Sequence, residues 1–123
     1  MRTALTLLLA LILPLAARAS CDGWATRDTA LEAAFTVTVA VDLGQTEYYL
    51  RHADGREANP VFGTPRPTAA SLQTEALLGV LGHAVVSCLL RGEQRAWWQG
   101  LSLGLEGYAV GHNALLVGLR LPF

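Results

Sequence analysis

The sequence predicts an all-α protein: a three-helix transmembrane bundle behind a signal peptide. Three observations carry that expectation. Hydrophobic residues make up 52% of the 123-residue chain and charged residues only 15%, against roughly a quarter charged in an ordinary soluble domain. Three long apolar segments follow the N-terminal run, each about long enough to cross a bilayer core as a helix. The last of them carries a stripe of small residues at helical spacing.

The N-terminus has the organisation of an export signal. Arg2 precedes an apolar run from Ala4 to Leu13, and Ala17-Arg18-Ala19 places small residues where a signal peptidase reads them. Residues 1–19 are therefore the expected signal peptide and 20–123 a single small helical membrane domain. The mature chain keeps seven arginines against ten acids, a formal net charge of −3. An uncleaved anchor is the alternative, although the run is short for a span of about 20 residues. A lipid-modified Cys21 is another, opposed by Arg18 at a position where such sites want an aliphatic residue.

The first segment, Asp28 to Leu50, opens with Asp28 and Glu32, which resembles a helix start with spacing one longer than a capping box. The second, Thr68 to Leu90, begins with a Thr/Ser-rich stretch suited to a helix N-terminus. The third, Ala96 to Leu121, carries Gly100, Gly104, Gly107, Gly111, Ala114 and Gly118 at steps of 4, 3, 4, 3 and 4. In water so many glycines disfavour a helix; in a bilayer they let helix backbones approach closely. A β-rich outer-membrane protein is the competing fold. Phe35–Val41 and Leu101–Leu105 alternate with period two, and the chain ends on an aromatic residue. A barrel nevertheless needs at least about eight strands of about ten residues, and Ala76–Leu90 does not alternate.

Several polar residues in these segments need a reason. On a helix Asp42 and Thr46 lie one turn apart with Gln45 adjacent, and Glu32, Val39, Asp42 and Thr46 share roughly one face. Glu106 and Asn113 are two turns apart in the third segment, and His83 and Ser87 one turn apart in the second, where they could meet that pair. An acid inside a span costs about 2.5–3.5 kcal/mol on insertion scales, so it turns toward protein or water. Each of these groups has a structural reading, as a hydrogen-bonded packing residue (Thr46 to Asp42, for example), and a functional one, as a proton or ligand site. Trp97 and Trp98 beside Arg95, and Tyr48 and Tyr49 before Arg51, are expected interfacial anchors.

Asp42-x-x-Gln45-Thr46, followed by Glu57-x-Asn59-Pro60-x-x-Gly63 and Pro67, resembles a group of small bacterial membrane proteins of unknown function. Trp98-Gln99 with Glu106 and Asn113 is similar to the same pattern. The resemblance covers residues 28–121 in patches and implies no activity. In the loop itself, Asn59-Pro60 favours a turn, Gly63 permits unusual backbone angles, and Pro65 and Pro67 stiffen the approach to the next helix.

The near balance of nine basic and ten acidic residues suggests no nucleic-acid partner. No cluster of His and Cys has metal spacing, and no cofactor is expected. The expected partners are the lipid bilayer and either a second copy of the chain or a larger membrane protein, bound through the glycine stripe. The expected location is the bacterial inner membrane, with lipoprotein attachment or the outer membrane as alternatives. A transport component or a membrane-embedded enzyme using Asp42 and Glu106 is the rival to a structural role. In an exported protein Cys21 and Cys88 are free to pair, but the sequence leaves open whether they do.

Overall fold

The computed structural model describes residues 12, 16–52 and 67–117. Three long helices account for most of them: α1, Thr26–His52; α2, Ala69–Leu89; and α3, Gly92–Val117. There is no strand among the described residues, so the protein is all-α, and Phe35–Val41 and Leu101–Leu105 lie inside α1 and α3. Their alternation reflects local composition, whereas the polar residues on either side of them recur at helical spacing.

The helix ends follow from local chemistry. Asp28 is the third residue of α1, and its Oδ2 accepts the Ala25 backbone N–H at 2.9 Å. That is the return half of a capping box with Ala25 as the cap, which explains the expected spacing that was one residue too long. Thr68 caps α2 by accepting from the Ser71 N–H at 3.1 Å. Helix α3 begins at Gly92, four residues earlier than the apolar pattern suggests. Glu93 in its first turn suits the positive end of the helix dipole. Gly92, at φ 53°, makes the abrupt link from α2.

Helix α1 is central, with its longest interface against α3 and a shorter one against α2. Ascending pairs (Asp28 with Arg95, Glu32 with Gln99, Asp42 with Asn113) show that α1 and α3 run parallel. Descending pairs (Glu32 with His83, Glu47 with Gln73) show that α2 runs antiparallel to α1.

What these helices bury is inverted relative to a water-soluble bundle. The buried apolar residues are Phe35, Leu72, Val80 and Ala84. The buried polar set is larger: Asp28, Glu32, Thr36, Gln45, Glu47, His83, Ser87, Arg95 and Gln99. Large apolar side chains point outward, among them Leu78, Val85, Leu101, Leu105 and, 86% exposed, Leu115.

The glycine stripe lies on this outer surface. Gly100, Gly104, Gly107 and Gly111 are exposed, and a Cβ added at any of them meets no atom within 4 Å. Within the chain, therefore, these glycines pack no helix. Gly118 lies outside the described residues, as do the loop residues Glu57 and Asn59.

Cys21 and Cys88 form a disulfide with Cα atoms 5.1 Å apart. It ties the segment before α1 to the last turn of α2, and a sulfur so bonded carries no thioether lipid. The bridge closes a loop of 67 residues' separation, worth about 4 kcal/mol in the chain-entropy account and often less in practice. We expect neither thiol of the folded protein to react with a maleimide until reductant is added. Cys88→Ser should lower the unfolding free energy by about 2–4 kcal/mol. Alkylation of both thiols without reductant would contradict the bridge.

Candidate functional site

The acids of α1 form a ladder, and each rung is met from α2 or α3. At the bottom, Arg95 is 1% exposed and its guanidinium is fully occupied. Nη1 donates to Asp28 Oδ2 at 3.2 Å and to the Gly23 carbonyl at 3.1 Å. Nη2 donates to the carbonyls of Asp22 at 2.9 Å and Leu90 at 2.7 Å, and Nε to that of Ser87 at 2.7 Å. The Trp24 ring covers the group, 4.9 Å from its carbon, with the indole N–H held by Thr29 Oγ1 at 2.9 Å. Two of these carbonyls, Ser87 and Leu90, belong to the end of α2, where a helix leaves carbonyls unpaired and its dipole favours a cation. One side chain thus caps α2, neutralises Asp28 and holds the Cys21–Gly23 turn.

One turn up, Glu32 is fully buried. His83 Nδ1 donates to its Oε1 at 2.9 Å, and Gln99 Nε2 donates to its Oε2 at 3.1 Å and to the Asp28 carbonyl at 3.2 Å. The imidazole is stacked between Phe35, with ring centres 3.8 Å apart, and Trp98, at 5.2 Å. Trp98 Nε1 donates to the His83 carbonyl at 3.4 Å. Chemically this is a histidine oriented by a carboxylate, which is the base-and-orienter half of many acid–base sites.

The upper rungs are Asp42 and Glu47. Asn113 Nδ2 donates to Asp42 Oδ1 at 2.7 Å. Gln73 Nε2 donates to Glu47 Oε1 at 2.9 Å, while Arg51 reaches Glu47 Oε2 at 3.0 Å. Glu106 is half-buried on the Gln99–Asn113 face of α3. Gln45 is fully buried and Thr46 half-buried.

Of the residues singled out from sequence, Asp42 and Asn113 meet one another, and His83 is central, although its partners are Glu32, Phe35 and Trp98 rather than Glu106 and Asn113. Trp98 is corrected from a simple anchor to a packing residue of the core, and Arg95 from an outer charge to a buried one. Trp97 is exposed as an anchor should be. Asp28, Glu32, Arg95 and Gln99 were missed as site residues, Glu32 being read only as part of a helix start and as sharing a face with Asp42. A usable signal existed: Asp28 and Glu32 are four apart, as are their complements Arg95 and Gln99, so two parallel helices in register pair both. No group of three or more His, Cys, Asp or Glu able to hold a metal occurs among the described residues. Comparison with family models, with curated proteins and with solved structures gives no match.

Removing one member of a buried ion pair leaves the other charged and unpaired, at a cost of about 3–5 kcal/mol. Arg95→Met should therefore destabilise the protein strongly. The double variant Asp28→Asn/Arg95→Met should recover part of that loss, measured by denaturant unfolding as a double-mutant cycle. Additive losses would mean that the pair is not coupled.

Proposed function

We propose that this chain is a small membrane-embedded helical protein of the bacterial inner membrane, exported by its N-terminal signal, with a structural or interaction role through α3. The observation that carries the reading is the inversion of the bundle. Polar groups pair in the interior while leucines, valines and glycines face outward, the arrangement a protein needs when its surroundings are hydrocarbon. Among the described residues, α2, Ala69–Leu89, is the one helix long and apolar enough to cross a membrane by length and composition. Helices α1 and α3 carry the ladder residues, of which Asp28, Glu32, Glu47, Arg95 and Gln99 are buried.

The disulfide supports an oxidising compartment for the end of the bundle that holds Cys21, Cys88 and Arg95. With that end outside, residues 51–67 face inward, as the up-down-up order requires. The resemblance to small bacterial membrane proteins, on Asp42-x-x-Gln45-Thr46 and Glu57-x-Asn59-Pro60, is in keeping with this placement.

A structural role is preferred over proton-linked transport because the Asp42 carboxylate is engaged within the chain by Asn113. A satisfied acid holds helices together without a cargo. The surface left over is the outer face of α3, where Gly100, Gly104, Gly107 and Gly111 leave room for a close helix–helix approach, to a second copy or a larger membrane protein.

Membranes washed with alkaline carbonate should retain the protein; recovery in the soluble fraction would reject membrane embedding. Reporter fusions at Asp54 and Gly92 should report opposite sides of the membrane. Gly104→Leu and Gly107→Leu should not lower the unfolding midpoint, since the new side chains meet nothing in the chain and leucine favours a helix over glycine, yet reduce crosslinking to the partner several-fold. Unchanged crosslinking would remove α3 as the interaction face.

A further inference from the structure

Among the residues that surround the Glu32–His83 pair, three buried side-chain atoms lack a partner: His83 Nε2, Ser87 Oγ and Gln99 Oε1. Their residues are 4%, 0% and 0% exposed. Buried polar atoms left unpaired cost about 1–3 kcal/mol each, so three in one neighbourhood call for a common cause. The three residues lie where α2 and α3 meet the first turns of α1. His83 and Gln99 hold opposite oxygens of one carboxylate. Ser87 lies one turn beyond His83 on the same face of α2, and its carbonyl receives Arg95, one turn before Gln99 on α3.

The chemistry of the orphans is specific. His83 Nδ1 donates to Glu32, so in the neutral ring Nε2 accepts. The Gln99 amide is oriented by two acceptors, Asp28 O and Glu32 Oε2, which places its nitrogen there and leaves Oε1 accepting. The usual refuge of a helical serine is the carbonyl four residues back. For Ser87 that is His83 O, which already receives Trp98 Nε1. Two acceptors and one hydroxyl therefore need a single guest with two protons to donate and a lone pair to receive.

We propose that the Glu32–His83–Ser87–Gln99 cluster is a binding site for one internal water molecule, which donates to His83 Nε2 and Gln99 Oε1 and accepts from Ser87 Oγ. Three bonds is the usual complement of a buried water, about three. The two facing acceptors, His83 Nε2 and Gln99 Oε1, exclude an anion. The site holds water against a carboxylate-oriented base at the centre of the bundle, and it does not depend on whether lipid surrounds the chain.

Solid-state NMR of the ¹⁵N-labelled full chain, in liposomes if carbonate-washed membranes retain it and as a sediment from buffer otherwise, tests this. Exposed His52 and His112 are replaced by glutamine so that His83 is the single histidine. Polarisation from water protons should reach Nε2, with exchange far slower than at the surface. Ser87→Ala should retain that transfer, because two of the three bonds survive. Transfer that comes only from the Ser87 hydroxyl and vanishes in Ser87→Ala would show a direct serine–histidine bond and overturn the proposal. Absence of water transfer in both proteins would overturn it equally.

Discussion

The burial of the Arg95 guanidinium is the constraint on which the rest of the bundle depends. A desolvated arginine survives only if its five N–H donors all find acceptors, and here they do so across three separate pieces of chain. Asp28 comes from the first turn of α1, two carbonyls from the end of α2, and two from the turn after Cys21. The disulfide reinforces the same junction: with Cys21 and Cys88 joined, the Asp22–Gly23 carbonyls are held beside the end of α2. Register along the bundle follows from this fixed end. Once Arg95 meets Asp28, the next turn brings Gln99 to Glu32.

That register makes a polar interior affordable. Interhelical polar contacts contribute modestly one by one, about 0.6 kcal/mol on average in one membrane protein. Their larger effect is on specificity, because a slipped register strands an acid rather than shifting a leucine. Apolar packing is thin by comparison, with Phe35, Leu72, Val80 and Ala84 as the buried apolar set. Phe35 itself serves the polar core by stacking on His83.

Much of this architecture was legible in the chain. The three apolar segments are the three helices, with ends displaced by at most four residues, and Thr68 caps α2 as its Thr/Ser-rich start suggests. Asp42, Asn113 and His83 were recognisable as residues requiring partners, because polar groups in apolar helices are costly wherever they lie. Their partners were harder to read. The nearest acid by sequence logic for His83 was Glu106, but the antiparallel course of α2 carries His83 toward the start of α1, where Glu32 waits. Arg95 looked like an interfacial charge because it precedes two tryptophans. Only the early start of α3 at Gly92 turns it inward.

The sequence by itself determined that the chain is helical, that its segments carry too many acids to be left unpaired, and that α3 has a face of small residues. Those are properties of composition and of spacing along one helix, which local geometry translates directly. The tertiary structure alone decided which donor meets which acid, that Cys21 reaches Cys88, and that the glycine face points away from the bundle. Each of these depends on the relative rotation and register of two helices. A rotation of half a turn changes no residue's spacing along its own helix, yet it exchanges inside for outside.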